Sequence, residues 1–393
     1  MEILAKNGYP RYSDGELHRR HEALRAVMEE QSLAAVVVGG LTTQLENSVQ
    51  YFTNWPPLDD SYAVFGPTAE PVVIARPWNH VPDATRIGVV EDVRYGGINP
   101  EAQAATVAGI LRERCPKGGR VGLIGSIRYS QIQIMDALVA GVGWWDATSW
   151  YRHLRLIKSE EELAYIRVAA GMADKAIEAM AHQLHVGMRE YEIVRVIEDA
   201  YIGERGSTLI HFTLSTPMGH PELCVPHQHQ PDRILERGDV VATEISATFW
   251  GYSGQILRSF TIGSAPTAQY QELYDVGSAV YADIVNTLRA GVTVREILDC
   301  GDQISRAGLD IWDALLHGWG GPGVLPPIVR TRKSGGATEA DDYAFEEGSV
   351  VVIQPNIISA DHAAGVQLGN AVYIKRDGVE VLQQYPMQFV RCG

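Results

Sequence analysis

The residues of this 393-residue chain best suited to chemistry are gathered between positions 224 and 369. Glu244 and Gln255 stand eleven positions apart in "GDVVATEISATFWGYSGQILRSFTIG", which reads as two strands joined by the turn "WGYSG". A hairpin of that layout can hold a metal ion between its strands, but the second candidate ligand is an amide. His227, in "VPHQHQPDRILERGD", brings an imidazole that titrates near neutrality and can take and return a proton. Its stretch also holds His211, His220 and His229, so a general base and a solvent-facing loop histidine are both open readings. Glu244, on a mid-sheet strand and short of cation partners, is expected to have a raised pKa, as an acid catalyst or as a buried hydrogen-bonded group. Cys224, three residues before His227, allows a Cys–His nucleophile, although small buried thiols are far commoner. His317 in "HGWGGPGVLPP", Gln354 in "VVIQPN" and Gly369 in "GVQLGN" follow in the last quarter of the chain.

The elements that must carry these residues fall into two groups. Up to about residue 150 helix and strand alternate: a helix through "DGELHRRHEALRAVMEEQS" with Asp14 as its expected cap, then "AAVVVGG", "YAVFG", "PVVIARP" and "RVGLIG" as strands with further helices between and after them. At "RLIKSEEELAYIR" the pattern changes. Ser159 and Glu162 have the spacing of a capping box opening a long amphipathic helix, and a second helix follows directly. A β-rich stretch over 209–263, two helices near 267–290 and 294–307, and three closing strands predict an α+β domain with a curved antiparallel sheet. The expected domains are 1–153 and 154–393.

Bulk composition narrows the partners. Acidic residues number 48 against 33 basic ones, a formal net charge of −15, which disfavours nucleic acid and anionic membrane surfaces. No apolar run approaches the roughly 20 residues of a membrane span, and the first residues do not read as a secretory signal. Cys115, Cys224, Cys300 and Cys392 lack CxxC spacing, which suits reduced thiols in a cytoplasm.

In order and spacing, the positions of Glu244, Gln255, His317, Gln354 and Gly369 resemble the metal-ligand motifs of the pita-bread aminopeptidase, prolidase and creatinase family. The resemblance covers essentially the whole chain, including the "RLIKSEEELAYIR" linker and the "GY…RSFTIG" strand. It implies a pita-bread C-terminal domain preceded by a smaller creatinase-type α/β domain. The family's metalloenzymes present Asp, Asp, His, Glu and Glu to two divalent ions, whereas this chain has two amides and a glycine among the matching positions. A second family histidine, seven residues after His317, is Val324 here. Hard cations favour anionic oxygen, so no metal and no cofactor is expected.

The creatinase branch works without metal through a histidine eleven residues before the "GD" of the hairpin, and His227 holds that position. Tyr252 looks like that branch's tyrosine near the scissile carbon, with a turn-packing aromatic as the other reading. Arg258 matches a family arginine that is more often structural. Leu257 and Gln354 replace the two glutamates that grip creatine, and Asp59 or Asp60 replaces a carboxylate-binding arginine. The expectation is therefore a metal-independent hydrolase of a non-peptide C–N bond (amide, lactam or amidine) in a small polar molecule. His227, Tyr252, Glu244 and His317 form its catalytic set, and Gln255, Gln354, Arg330, His229, Trp55 and Asp60 its binding set, with Arg332 a further carboxylate clamp. The resemblance also implies a homodimer in which the loop Trp55–Tyr62 completes the partner's site. Proton-transfer chemistry (elimination, isomerisation or cyclisation) and a non-catalytic binding role on the same fold are the alternatives.

Overall fold

The computed structural model describes residues 3–40, 47–115, 118–318, 326–333 and 341–393. The chain divides into two compact units, Met1–Arg155 and Leu156–Gly393. In the first, helix α1 (Asp14–Glu30) is capped by Ser13, whose hydroxyl accepts from the Glu16 amide, so Asp14 is the first helical residue rather than the cap. Six strands form one mixed sheet: β1 (Leu33–Gly40), β2 (Ser61–Phe65), β3 (Val72–Ala75), β4 (Asp92–Tyr95), β5 (Gly119–Ile124) and β6 (Val142–Asp146). Their order is β4-β3-β2-β1-β5-β6, with β2 antiparallel to both neighbours and the other pairs parallel. The helices α2 (Pro100–Arg114) and α3 (Tyr129–Leu138) contribute Val107, Leu111 and Met135 to its core, which explains the continuous apolar runs of β1 and β3.

In the second unit, α4 (Glu160–Gln183) opens with the expected capping box: Ser159 Oγ accepts from the Glu162 amide, and Glu162 accepts from the Ser159 amide. It is followed by α5 (Glu190–Asp199), β7 (Ser207–Pro217), β8 (Asp239–Phe249) and β9 (Tyr252–Ile262). Then come α6 (Ala268–Thr287), α7 (Val294–Arg306), β10 (Leu316–Gly318), β11 (Val350–Ile353), β12 (Gly369–Lys375), β13 (Gly378–Val381) and β14 (Val390–Cys392). The path through the eight-stranded sheet is β10-β11-β12-β9-β8-β7, antiparallel at every step. This mixed α+β unit is a pita-bread fold.

The β8–β9 hairpin fixes which side chains face which way. Trp250 and Gly251 both have positive φ, 50° and 84°, as a two-residue type I′ turn requires. Pairing then runs unbroken from Phe249↔Tyr252 to Val240↔Thr261. Side chains alternate, so Ile245, Ala247, Ile256 and Phe260 point into a core with α4 and α5, while Glu244, Ser246, Gln255 and Leu257 occupy the other face. Close packing of α4 depends on Gly254, where a Cβ would meet the backbone N and Cα of Ala170 at 2.4 Å. Gly254→Ala should destabilise the chain by about 1–3 kcal/mol through overpacking, measured as a lower urea midpoint with an unchanged m-value.

Candidate functional site

On the face away from α4 and α5, four of the anticipated residues join in one hydrogen-bonded chain. Gln255 Nε2 donates to Glu244 Oε1 at 2.6 Å and to Gln354 Oε1 at 3.0 Å. His317 Nε2 also meets Gln354 Oε1, at 3.1 Å, while its Nδ1 lies 3.0 Å from the Gly318 carbonyl. Gln354 Nε2 donates to Asp313 Oδ2 at 3.4 Å, and Arg330 Nη2 stands 3.8 Å from the other Asp313 oxygen. Three strands and one loop position this row. Glu244 lies on β8, Gln255 on β9 and His317 on β10, with Gln354 directly after β11. Gln255 and Gln354 are fully buried, whereas Glu244 and His317 are half-buried and Asp313 is exposed.

Burial pushes the Glu244 carboxyl up to about 7, the like charge of Asp313 adds to the rise, and the bond from Gln255 opposes it. A carboxyl poised there exchanges its proton close to neutrality. Asp313 was missed by the sequence reading. Its only signal was an acidic residue four positions before His317.

Other anticipated residues lie elsewhere. Tyr252 is on the helix-facing side of β9, buried against Tyr165, with its hydroxyl donating to Glu162 Oε1 at 2.7 Å. That is the packing use of the residue rather than a bond to the Glu244 row. His227 pairs its backbone in both directions with Thr213, which in turn pairs with Thr243, so the register sets it beside the alternate positions to Glu244. Its electrostatic neighbour is the buried Glu190, which also accepts from the hydroxyls of Ser215 and Thr213. His229 is exposed on the loop after β7.

Arg332 is paired with Asp299 and Asp302. Arg258 is buried and bonded to the backbone carbonyls of Leu257, Gly369, Tyr385 and Pro386, a structural use. Burial raises the Cys224 thiol, the wrong direction for a nucleophile. Trp55 and Asp60 belong to the first unit, both buried there, with Asp60 paired to Arg128 at 2.8 Å. Val324 falls outside the described residues.

The polar row therefore lies on the sheet face opposite α4 and α5, within a pita-bread fold. The chain belongs to metallopeptidase family M24, whose family model matches residues 164–376. It is 24% identical over 371 residues to the Xaa-Pro dipeptidase of Pyrococcus furiosus, covering 93% of this chain and 98% of that one. An uncharacterized peptidase of Staphylococcus epidermidis is 27% identical over 243 residues, 61% of this chain and 66% of that protein. Among solved structures, the Xaa-Pro dipeptidase of Bacillus anthracis superposes with a TM-score of 0.79 at 21% identity, covering 95% of this chain and 99% of the other. The prolidase of Pyrococcus horikoshii OT3 gives 0.77 at 21% identity, with 94% and 99% covered.

These findings correct the expected reaction. A metal-independent, creatinase-like hydrolase of non-peptide C–N bonds conflicts with a family of metallopeptidases and with relatives named as dipeptidases and prolidases. The amide substitutions reported what the site had lost, which does not specify the bond it acts on.

The paired ions implied by the family still have to be weighed against the residues present. They do not fit. Gln255 turns its N–H group, not its oxygen, toward Glu244. At Gly369 a Cβ would lie 2.3 Å from the Ile353 carbonyl oxygen, so the backbone leaves no room for a carboxylate side chain. Among the described residues no cluster of three or more His, Cys, Asp or Glu is arranged to hold a metal. One carboxylate and one imidazole at the matched positions, with the exposed Asp313 carboxylate beside them, are too few anionic donors for two hard cations.

Because the native state holds the Glu244 proton more tightly than the unfolded chain does, this group costs nothing below its ordinary 4.5. It costs progressively more as pH rises to about 7. Glu244→Gln should therefore gain stability relative to the parent between about pH 4.5 and about pH 8. Denaturation midpoints at the two pH values check it, and a pH-independent difference would contradict the assignment.

Proposed function

We propose that this chain hydrolyses the peptide bond of a small, dipeptide-sized substrate, with Glu244 as the group that transfers the proton. The observation that carries this reading is the continuous Glu244–Gln255–Gln354–His317 row, on the sheet face opposite α4 and α5 in a member of a peptidase family. The names of the full-length relatives support the substrate size. Ionised Glu244 takes a proton from water as the oxygen bonds to the scissile carbonyl carbon. As the C–N bond breaks, that proton passes to the departing amine nitrogen. The fully buried amides of Gln255 and Gln354 are anchored at one end by Glu244 and at the other by Asp313 and His317, so they hold the carboxylate in one orientation. His227, with buried Glu190 beside it, is a second candidate for proton transfer within the same proposal.

Turnover of a dipeptide panel by the intact chain tests the reading. Glu244→Ala should lower kcat by about a hundredfold or more with little change in KM, since general-base catalysis contributes about 10²–10⁴. His227→Ala measured beside it ranks the two groups. Retention of full kcat by Glu244→Ala would remove Glu244 from the mechanism.

The proposal includes a homodimer to which Trp55–Tyr62 contributes at the partner's site. Sedimentation equilibrium should give twice the chain mass of 43.1 kDa. A monomer with full activity would exclude that arrangement.

A further inference from the structure

Gln255 carries an unused bonding group. Both of its donor contacts come from Nε2, to the carboxylate of Glu244 and to the amide oxygen of Gln354. That pattern fixes which way the amide points, because a flipped Gln255 would set its own oxygen against two acceptors. The neighbouring amide agrees. Gln354 Oε1 receives from Gln255 and faces His317 Nε2, while its Nε2 donates to the carboxylate of Asp313. With carboxylates at both ends, the row has one consistent set of orientations. Gln255 Oε1 is left as a carbonyl oxygen on a fully buried side chain, with no hydrogen-bond partner among the described residues. Ser246, opposite Gln255 in the β8–β9 register and on the same face, is likewise fully buried with an unpartnered hydroxyl. The unpaired patch is therefore two residues wide and adjoins Glu244.

A buried acceptor is satisfied by a ligand that brings an N–H and penalises one that does not. The peptide bond before proline has no N–H. From this we infer that the substrate is a peptide whose scissile bond is a secondary amide, its N–H donated to Gln255 Oε1. Xaa-Pro bonds are discriminated against. The inference rests on the peptide-hydrolase reading above but departs from the substrate named for the solved and curated relatives.

The test compares Ala-Ala with its N-methylated counterpart and with Ala-Pro, using the intact chain. Ala-Ala should be favoured in kcat/KM by about tenfold or more over both. Gln255→Met also removes the donor that orients Glu244, so it should lower kcat/KM for all three peptides, with the loss about tenfold greater for Ala-Ala, which collapses the preference. Equal rates, a preference for Ala-Pro, or a Gln255→Met loss of the same factor for all three peptides would each overturn the inference. If no peptide is cleaved, the hydrolase reading fails, and calorimetric binding of the same three peptides decides the inference separately. Tighter binding of Ala-Ala alone upholds it, and equal or absent binding ends it. The wild-type comparison needs no variant to fold.

Discussion

Everything at the site depends on the unbroken register of the hairpin Asp239–Ile262. Because strand side chains alternate with a period of two, a slip of one residue would send Glu244 and Gln255 into the helix-packed core and Ile245 and Ile256 into the site. Two local features hold that register. The positive φ angles of Trp250 and Gly251 close the turn, and Gly254 allows α4 to press on the hairpin at backbone distance. The long helix is fixed in turn by its capping box, and Glu162 of that box also accepts from Tyr252 at the start of the second strand. A helix terminus and a hairpin turn thereby share one hydrogen bond.

Within this frame the polar row behaves as a unit. A carboxyl that must be partly desolvated next to another acid would be expelled or neutralised unless something bonded to it. Gln255 supplies that bond, and Gln354 passes the arrangement on to His317 and Asp313. By the resemblance of their motifs, the amides match positions where the family's metalloenzymes carry carboxylates. They cannot neutralise paired cations, but they can fix orientation, because each has a donor and an acceptor on one rigid plane. Gly369 shows that the change reaches the backbone as well as the side chains. The approach of the Ile353 carbonyl leaves no space there even for a methyl group.

Much of this was legible in the sequence. Glu244, Gln255, His317 and Gln354 were singled out by their resemblance to the family's ligand motifs, and the chain brings them together. The capping box at Ser159 and Glu162 was readable because its chemistry is local. Tyr252 was less tractable, since its meaning depends on strand parity: three residues from Gln255, it faces the opposite way. Asp313 belongs to no motif and reaches the row only because the loop before β10 returns beside Gln354. The type of bond acted on was misjudged from substitutions alone, and membership of a peptidase family corrected it.

The sequence by itself determined the two-part organisation, the hairpin and the residue types available for chemistry, because periodicity, turn residues and caps act over a few positions. Tertiary structure alone decided which of those residues share a face, which amide oxygen is left unpaired and where a carboxyl is desolvated. Those properties arise between strands far apart in the chain. Gln255 and Gln354 are separated by 99 residues yet meet at 3.0 Å, and no local pattern encodes that distance.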